Sequence, residues 1–111
     1  MNPETLSKDT QYIREQMPVG ELLCQLAEEA SELSQAALKL RRVFDGTNPT
    51  PVTVQEALED LTEEISDVML CCRMLDFDPT AWVYLSIGDE KTQRWAARIA
   101  VARAKEAAKN G

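Results

Sequence analysis

The sequence contains no histidine, and this absence removes several kinds of active site. Ser-His and Cys-His nucleophilic pairs, zinc sites with histidine ligands and Glu-x-x-His di-iron sites all need an imidazole. Aromatic residues make up only 5% of the 111 residues, which argues against a platform for stacked nucleobases. Basic residues are also scarce, because 12 of them face 19 acidic residues, for a net charge of −7. An acidic chain is a poor general binder of nucleic acid.

Cysteines and long apolar runs are equally few. Cys24, Cys71 and Cys72 are odd in number and lack Cys-x-x-Cys spacing, which fits neither a disulfide framework nor a zinc site. We therefore expect reduced, mostly buried thiols in a cytoplasmic protein. The longest apolar stretch, residues 68–75, is short and broken by Arg73, so we expect no membrane span. Residues 1–9 show no apolar core of a signal peptide.

What the chain does contain is an acidic hexapeptide written twice, 35 residues apart. Residues 28–33 read Glu-Glu-Ala-Ser-Glu-Leu, and residues 63–68 read Glu-Glu-Ile-Ser-Asp-Val. The flanking apolar positions align as well, for example Leu26 with Leu61. Each copy places two carboxylates at i, i+3 on one side of a helix. If the two helices pack together, four carboxylates converge, and such a cluster repels itself unless a cation neutralises it.

Hydrophobic periodicity predicts an all-α fold, with four to five helices in a single domain over residues 1–111. The predicted helices cover residues 3–16, 19–44, 53–77, 81–87 and 89–109. Asn2 is the expected N-cap of the first helix, Pro18 separates the first two, and Asp45-Gly46 ends the second. Thr53 and Glu56 form a capping box at the start of the third helix. Gly88-Asp89 is the expected break before the last.

The second half of the third helix is apolar nearly all round. A helix of that composition must be covered on several sides. A chain of this length has few elements to provide the cover, so we expect a homo-oligomer, either a dimer or a tetramer.

A helical wheel separates the acidic residues by direction. Glu29 lies roughly 55° from the centre of its apolar stripe, at 100° per residue. Glu64 lies near the apolar edge of the third helix, while Glu32 and Asp67 lie on the flanks. The first glutamate of each motif points to solvent. No lysine or arginine stands at i±3 or i±4 from Glu29, so it has no ion-pair partner within its helix.

Carboxylates that face a core need pairing, hydrogen bonds or a metal. We therefore predict a metal site made of Glu29, Glu32, Glu64 and Asp67. Oxygen ligands alone suit Mg²⁺, Mn²⁺ or Ca²⁺. Two solvated acidic helix faces are the alternative explanation of the repeat.

The last predicted helix carries a row of cations. Lys91, Arg94, Arg98 and Lys105 fall within roughly 60° of one another, beside an apolar stripe that contains Trp95. Such a row is suited to a polyphosphate group. The candidate phosphate-binding residues are Lys39, Lys91, Arg94 and Arg98. A solvated basic tail, or salt bridges to the surplus acids, is the alternative.

The two acidic motifs together resemble those of the MazG-like nucleoside triphosphate pyrophosphohydrolases, of the all-α NTP pyrophosphatase superfamily. The family signature is Glu-Glu-x-x-Glu on one helix and Glu-x-x-Asp on the next, and the resemblance covers about residues 19–100. It implies that Glu29, Glu32, Glu64 and Asp67 are metal ligands and catalytic residues. It also implies an oligomeric helical fold of the same type, in an intertwined dimer or tetramer.

The resemblance implies a Mg²⁺-dependent reaction, with Mn²⁺ as an alternative ion, that converts an NTP or dNTP to the monophosphate and pyrophosphate. Any of the four carboxylates, Glu32 among them, is a candidate general base. Lys91, with Arg94 or Arg98, matches the family's basic residues more loosely. The long connection between the motifs departs from the family and leaves the nucleoside contacts, and so the preferred base and sugar, open.

Two other interpretations fit the same residues. The chain could be a non-catalytic helical dimer whose acids contact a basic protein partner. It could also be a catalytically inactive relative that binds nucleotide without turnover. Stabilisation by Mg²⁺ together with a non-hydrolysable triphosphate distinguishes the first from an enzyme, and turnover distinguishes the second.

Overall fold

The computed structural model of the protein describes residues 3–46, 51–77 and 86–110. Nearly all of these residues are helical, and none of them lies in a β-strand. The helices are α1 (Pro3–Gln16), α2 (Val19–Asp45), α3 (Val54–Met74) and α4 (Ser86–Asn110). The prediction of an all-α fold is confirmed.

The break between α1 and α2 lies at Pro18, as the sequence predicts. Pro18 has no amide hydrogen and adopts extended angles of φ −60° and ψ 150°. Its carbonyl accepts hydrogen bonds from the amides of Glu21 (3.0 Å) and Leu22 (3.1 Å), which begin α2. Asn2, the predicted N-cap of α1, lies outside the described residues.

The C-terminus of α2 and the N-terminus of α3 are both capped. Gly46 has φ 63°, and its amide donates to the Arg42 carbonyl at 2.9 Å, so the glycine supplies the left-handed residue that closes α2. At the start of α3, the Thr53 hydroxyl accepts a hydrogen bond from the Glu56 amide at 3.1 Å. Thr53 is therefore the N-cap that the sequence predicts.

The predicted end of α3 at residue 77 is wrong, because the helix closes at Met74. Asp76 adopts a left-handed φ of 58°. Its amide donates to the Arg73 carbonyl at 3.0 Å, and the Phe77 amide donates to the Cys72 carbonyl at 2.9 Å. This pair of bonds is a Schellman motif, which ends a helix. Apolar periodicity continues through the motif and so does not reveal it.

The predicted break at Gly88-Asp89 is also wrong, because both residues lie inside α4, which begins at Ser86. Glycine keeps its amide hydrogen and costs a helix only about 1 kcal/mol relative to alanine, so Gly88 does not by itself end or delay α4. The Asp89 carboxylate lies in the first turn of α4, where the helix dipole favours negative charge. Of the short helix predicted over residues 81–87, residues 81–85 lie outside the described residues.

α2 and α3 form an antiparallel hairpin. Lys39 Nζ lies 3.5 Å from Asp60 Oδ2 toward one end, while Leu22 and Cys71 line one cavity toward the other. Ala57, only 1% exposed, allows the two helices to approach closely. The buried apolar residues of this unit are Leu22, Ala36, Ala57, Cys71, Cys72 and Met74.

α1 is attached to the C-terminal end of α3 by Arg14. Arg14 Nε donates to the Met74 carbonyl at 3.1 Å, and Nη2 donates to the Arg73 carbonyl. Nη2 also lies 3.5 Å from Asp76 Oδ1. The Met74 carbonyl lies beyond the helix ladder, the Arg73 carbonyl is shared with the Asp76 amide, and the Arg14 cation lies at the negative end of the helix dipole.

The chain divides into two compact units, residues 1–77 and residues 78–111. The first contains α1 and the α2–α3 hairpin, and the second contains α4. Every described side chain of α4 from Asp89 to Asn110 is exposed, including Trp95 at 66%.

Cys71 and Cys72 are buried free thiols, as predicted, whereas Cys24 is exposed on α2. Helices within the described ranges all lack the combination of length and apolar character that crossing a membrane requires.

Candidate metal centre

The antiparallel pairing of α2 and α3 makes the two acidic motifs neighbours. On antiparallel helices, two copies of one motif lie side by side only if the helices pair so that the centres of the two copies are at the same level. The Lys39–Asp60 ion pair on one side, and the cavity shared by Leu22 and Cys71 on the other, bracket that level. The register of the hairpin thus brings residues 28–33 against residues 63–68.

Three carboxylates converge at this level. One oxygen from each of Glu29, Glu64 and Asp67 lies within 4.8 Å of the others. All three side chains are half-buried. Glu29 comes from α2 and the other two from α3, so the group forms only when the hairpin forms.

Two oxygen atoms in this group are buried without a hydrogen-bond partner, Glu29 Oε2 and Glu64 Oε2. Among the described residues, no lysine or arginine forms an ion pair with Glu29, Glu64 or Asp67. Buried carboxylate oxygens without a donor or a cation are costly. An oxygen-binding cation such as Mg²⁺, Mn²⁺ or Ca²⁺ would satisfy both atoms, so the donor set fits a hard metal ion.

The acidity of the two glutamates reflects this environment. Burial raises the pKa of Glu29 above the ordinary carboxyl value, the hydrogen bond from Gln25 opposes that rise, and the charges of Glu32 and Asp67 add to it. Burial also raises the pKa of Glu64, and there the neighbouring charges of Glu32, Asp67 and Glu29 act in the same direction. Clustered carboxylates that lose water and repel one another hold protons more tightly unless a cation replaces the proton.

Glu32 lies beside the group of three but is not part of it. Its side chain is exposed, unlike those of Glu29, Glu64 and Asp67. Its negative charge nevertheless raises the pKa values of both Glu29 and Glu64, so its carboxylate is near both. Of the four predicted ligands, the structure brings three together and leaves the fourth at the solvent edge.

Outside the cluster, the remaining acids of the motifs point away. Glu28 and Glu63, the first glutamate of each copy, are exposed, in agreement with the helical wheel. The serine of the second copy, Ser66, donates its hydroxyl to the Thr62 carbonyl within α3 at 3.0 Å. The hydroxyl of this serine is therefore used in a hydrogen bond within its own helix.

Gln25 contacts the cluster, although it lies outside the acidic motif and is absent from the predicted site. Its Nε2 donates to Glu29 Oε1 at 2.9 Å, across one helical turn. The i−4 partner of Glu29 is thus a neutral amide, which the pattern of charged residues does not reveal. The i, i+4 spacing of an amide and a carboxylate is the signal that could have revealed it.

A cavity of about 250 Å³ opens beside the carboxylates, between α1, α2 and α3. Glu29, Asp67 and Gln25 form its polar part. The remaining lining is apolar or sulfur-containing and consists of Ile13, Met17, Leu22, Leu70, Cys71 and Met74. A small apolar chamber with a few convergent polar groups at one wall is the usual form of a ligand site.

Cys71 is the thiol of this cavity. Burial raises the pKa of the Cys71 thiol. The neighbouring Glu29, Cys72 and Asp67 raise this pKa further, in decreasing order of effect. A thiol held in its protonated form is a weak nucleophile and a weak metal ligand. Cys71 is a free, buried thiol, in line with the prediction of reduced, mostly buried cysteines.

Lys39, predicted to bind phosphate, lies in an ion pair with Asp60 of α3, at 3.5 Å. The side chain of Lys39 is 35% exposed and that of Asp60 is 53% exposed, so the pair is open to solvent. Asp60 stands 35 residues after Gln25, at the equivalent position of the second motif. Lys39 joins the two helices near the acidic cluster and remains within reach of water.

The other three predicted phosphate-binding residues lie together on α4. Lys91, Arg94 and Arg98 line one shallow surface groove with Trp95. Arg94 Nη2 also lies 4.0 Å from Glu90 Oε1, an exposed pair of the i, i+4 type. A second shallow groove continues past Arg98 along the apolar stripe of Trp95, Ile99 and Ala102. The predicted neighbourhood of cations and apolar residues is thus present within α4.

These observations rest on the chain itself: two acidic motifs, an antiparallel hairpin and three carboxylates from both helices. Comparison of the chain with family models, curated proteins and solved structures finds no match in any of the three.

Proposed function

We propose that this chain is a hydrolase that needs a divalent cation and cleaves a nucleoside triphosphate, NTP or dNTP, to the monophosphate and pyrophosphate. The observation that carries the proposal is the group formed by Glu29, Glu64 and Asp67, with two buried oxygens that lack a partner. The resemblance of the paired motifs to the MazG-like pyrophosphohydrolases supplies the reaction class. The geometry supports it because the residues of both motifs meet in space.

Glu29, Glu64 and Asp67, with Glu32 at the edge, are the residues that would hold Mg²⁺, or Mn²⁺ in its place. Such an ion would offset the charge of the phosphates and lower the pKa of a bound water molecule. Because the carboxylates come from two helices, the register of the hairpin sets their arrangement.

Glu32 is our candidate for the residue that accepts the proton of the attacking water. Its carboxylate is close to the buried acids and also exposed to solvent. A general base needs both properties, since it must reach the reacting atoms and then release its proton. Lys91, Arg94 and Arg98 are proposed to bind phosphate oxygens, and Lys39 to do so after exchange from Asp60.

The cavity beside Glu29 and Asp67 is the proposed binding site for the nucleoside of the substrate. Its apolar wall would receive a nucleoside while the triphosphate remains near the carboxylates.

Assembly into a homodimer or homotetramer is part of the proposal. α2 exposes apolar residues every seven positions, at Leu23, Ala30, Ala37 and Phe44, and α3 exposes Leu58 and Ile65 with the same spacing. Seven-residue spacing is typical of helices that pack along their length. On each helix, the exposed apolar stripe is rotated about the helix axis in the same direction from the buried face. In an antiparallel hairpin, both stripes therefore lie on one side of the hairpin. Glu32 and Asp67 are rotated in the other direction and lie on the opposite side.

The decisive experiment is an assay of pyrophosphate release from a panel of NTPs and dNTPs with Mg²⁺. We expect release from at least one triphosphate, and none when EDTA removes the cation. A thermal melt with Mg²⁺ and a non-hydrolysable triphosphate should show a raised melting temperature. Stabilisation without turnover would indicate a nucleotide-binding protein instead, and neither effect would indicate a helical module for a basic protein partner.

A further inference from the structure

The hydrogen bond from Gln25 leaves the two oxygens of Glu29 in different states. Gln25 Nε2 donates to Oε1 at 2.9 Å, and the bond is partly buried. Oε2 of the same carboxylate is buried and has no partner, and a Glu29 oxygen forms the close group with Glu64 and Asp67. One oxygen is therefore engaged by the helix that carries it, and the other is free to bind.

Within the described residues, the same kind of hydrogen bond is also found at two exposed sites. Gln55 donates to Glu59 at 3.0 Å on α3, and Gln11 donates to Glu15 at 3.0 Å on α1, both on exposed surfaces. On a surface, water competes for both partners, so an i, i+4 bond of this kind contributes little. Gln25 instead lines the cavity and is half-buried, so less water competes for its amide.

A neutral donor has a particular advantage beside a cation site. A lysine at position 25 would add a positive charge next to Glu29 and would compete with the metal ion for the carboxylate. An amide satisfies Oε1 and restricts the carboxylate without neutralising it. The equivalent residue of the second motif, Asp60, is acidic and pairs with Lys39, so this arrangement belongs to the α2 copy.

We infer that Gln25 is a positioning residue for the divalent cation: by holding Glu29 Oε1, it presents Oε2 to the ion with Glu64 and Asp67. The inference rests on the proposed metal site and adds to it a residue outside the acidic motif. Partners that orient a ligating side chain typically change metal affinity 10- to 100-fold when they are removed.

The test is the affinity of the full chain for Mn²⁺, measured by the electron paramagnetic resonance signal of the free ion. Gln25→Met keeps the length of the side chain and removes the donor, and we expect the Mn²⁺ dissociation constant to rise about tenfold or more. Gln55→Met removes the matched surface bond on α3 and should leave the dissociation constant within about twofold of the wild type. The melting temperature without metal, recorded for both variants, separates metal affinity from fold stability.

A milder variant protects the test against misfolding. Gln25→Asn keeps an amide in the cavity wall but is too short to reach Glu29, and it should also weaken Mn²⁺ binding. In wild-type protein labelled with ¹⁵N, addition of Mg²⁺ should shift the side-chain amide resonances of Gln25 and leave those of Gln55 in place.

The outcomes separate the two ideas. Wild-type protein that binds Mn²⁺ as tightly as both Gln25 variants do would overturn the role of Gln25 and leave the metal site standing. Wild-type protein that binds no Mn²⁺ would overturn both the metal site and this inference. Loss of affinity in Gln55→Met equal to that in Gln25→Met would also overturn the inference, because position would then be irrelevant.

Discussion

The two compact units of this chain differ in charge and in how their side chains are held. Residues 1–77 contain 15 acidic and 6 basic residues, whereas residues 78–111 contain 4 acidic and 6 basic. In the first unit, the carboxylates of Glu29, Glu64 and Asp67 are half-buried between packed helices. In the second, all described side chains from Asp89 onward are exposed.

The two units also differ in what fixes the positions of their charged side chains. The acids of the first unit are fixed by the packing of two helices and by a hydrogen bond from Gln25. The cations of α4 are ordered along one helix only, and long exposed side chains keep their rotamer freedom. We therefore expect substitutions in the hairpin to have large, position-specific effects and substitutions on α4 to have small, graded ones.

The largest expected effect separates the inward acids from the outward acids of the same motifs. Glu29→Gln or Asp67→Asn should lower Mg²⁺-dependent pyrophosphate release by more than about 100-fold, since direct ligands should exceed the 10- to 100-fold typical of their supporting partners. Glu28→Gln and Glu63→Gln remove the same charge from exposed positions and serve as matched controls. Circular dichroism should show unchanged helix content in all four. Full activity of the Glu29 and Asp67 variants would rule out the metal site.

A second contrast concerns packing. Ala57 is 1% exposed between α2 and α3, so Ala57→Leu should overpack the hairpin and lower the free energy of unfolding by about 1–3 kcal/mol. Ala97 is exposed on α4, and Ala97→Leu should change that free energy by less than about 0.5 kcal/mol. Urea unfolding followed by circular dichroism measures both. Equal effects of the two substitutions would mean that α4 is as closely packed as the hairpin.

The basic row of α4 should respond more weakly. Lys91→Ala or Arg98→Ala should raise KM for the triphosphate about two- to fivefold, because exposed charge pairs are worth roughly 0.2–1 kcal/mol. The effect should shrink as the salt concentration rises. Lys109→Ala, near the end of α4, is the control for the loss of one charge. An unchanged KM in both the Lys91 and the Arg98 variant would indicate a solvated basic helix without a role in substrate binding.

The smallest expected effect is a drift of stability with pH. The folded-state pKa values of Glu29 and Glu64 are raised, so their contribution to stability is complete below about pH 4.3, the ordinary glutamate value, and is lost as the pH rises through the raised values. Without divalent cations, the melting temperature of the wild type should fall more with rising pH than that of the Glu29→Gln/Glu64→Gln double variant. Mg²⁺ should oppose the fall, because it binds the ionised carboxylates. Parallel profiles for the two proteins would contradict the cause assigned to these shifts.

Local rules of sequence are enough for much of this fold. The spacing of apolar residues predicts α2 within one residue of its observed end, and Thr53 is the cap that its spacing to Glu56 indicates. The same helical periodicity turns Glu29 and Glu64 inward and Glu28 outward, as the structure has them. These features depend on residues within one or two turns of each other, where sequence patterns are informative.

Features that depend on the approach of two elements, or on an uncommon backbone conformation, were not predictable in this way. The partner of Lys39 is Asp60, and only the register of the hairpin determines that pairing. The left-handed conformation of Asp76 ends α3 against its own apolar pattern, since a residue other than glycine gives little warning of that conformation. The Gln25–Glu29 bond is the opposite case, because it is local and the i, i+4 spacing of an amide and a carboxylate predicts it.

Arg14 attaches α1 through the peptide oxygens of residues 73 and 74, which every amino acid supplies. The exposed side chain at position 73 can therefore change over evolutionary time without loosening the first helix, whereas the buried side chain of Met74 is held by the core and the guanidinium of Arg14 has no ready substitute. A set of diverged homologues should show variation at position 73 and constancy at position 14.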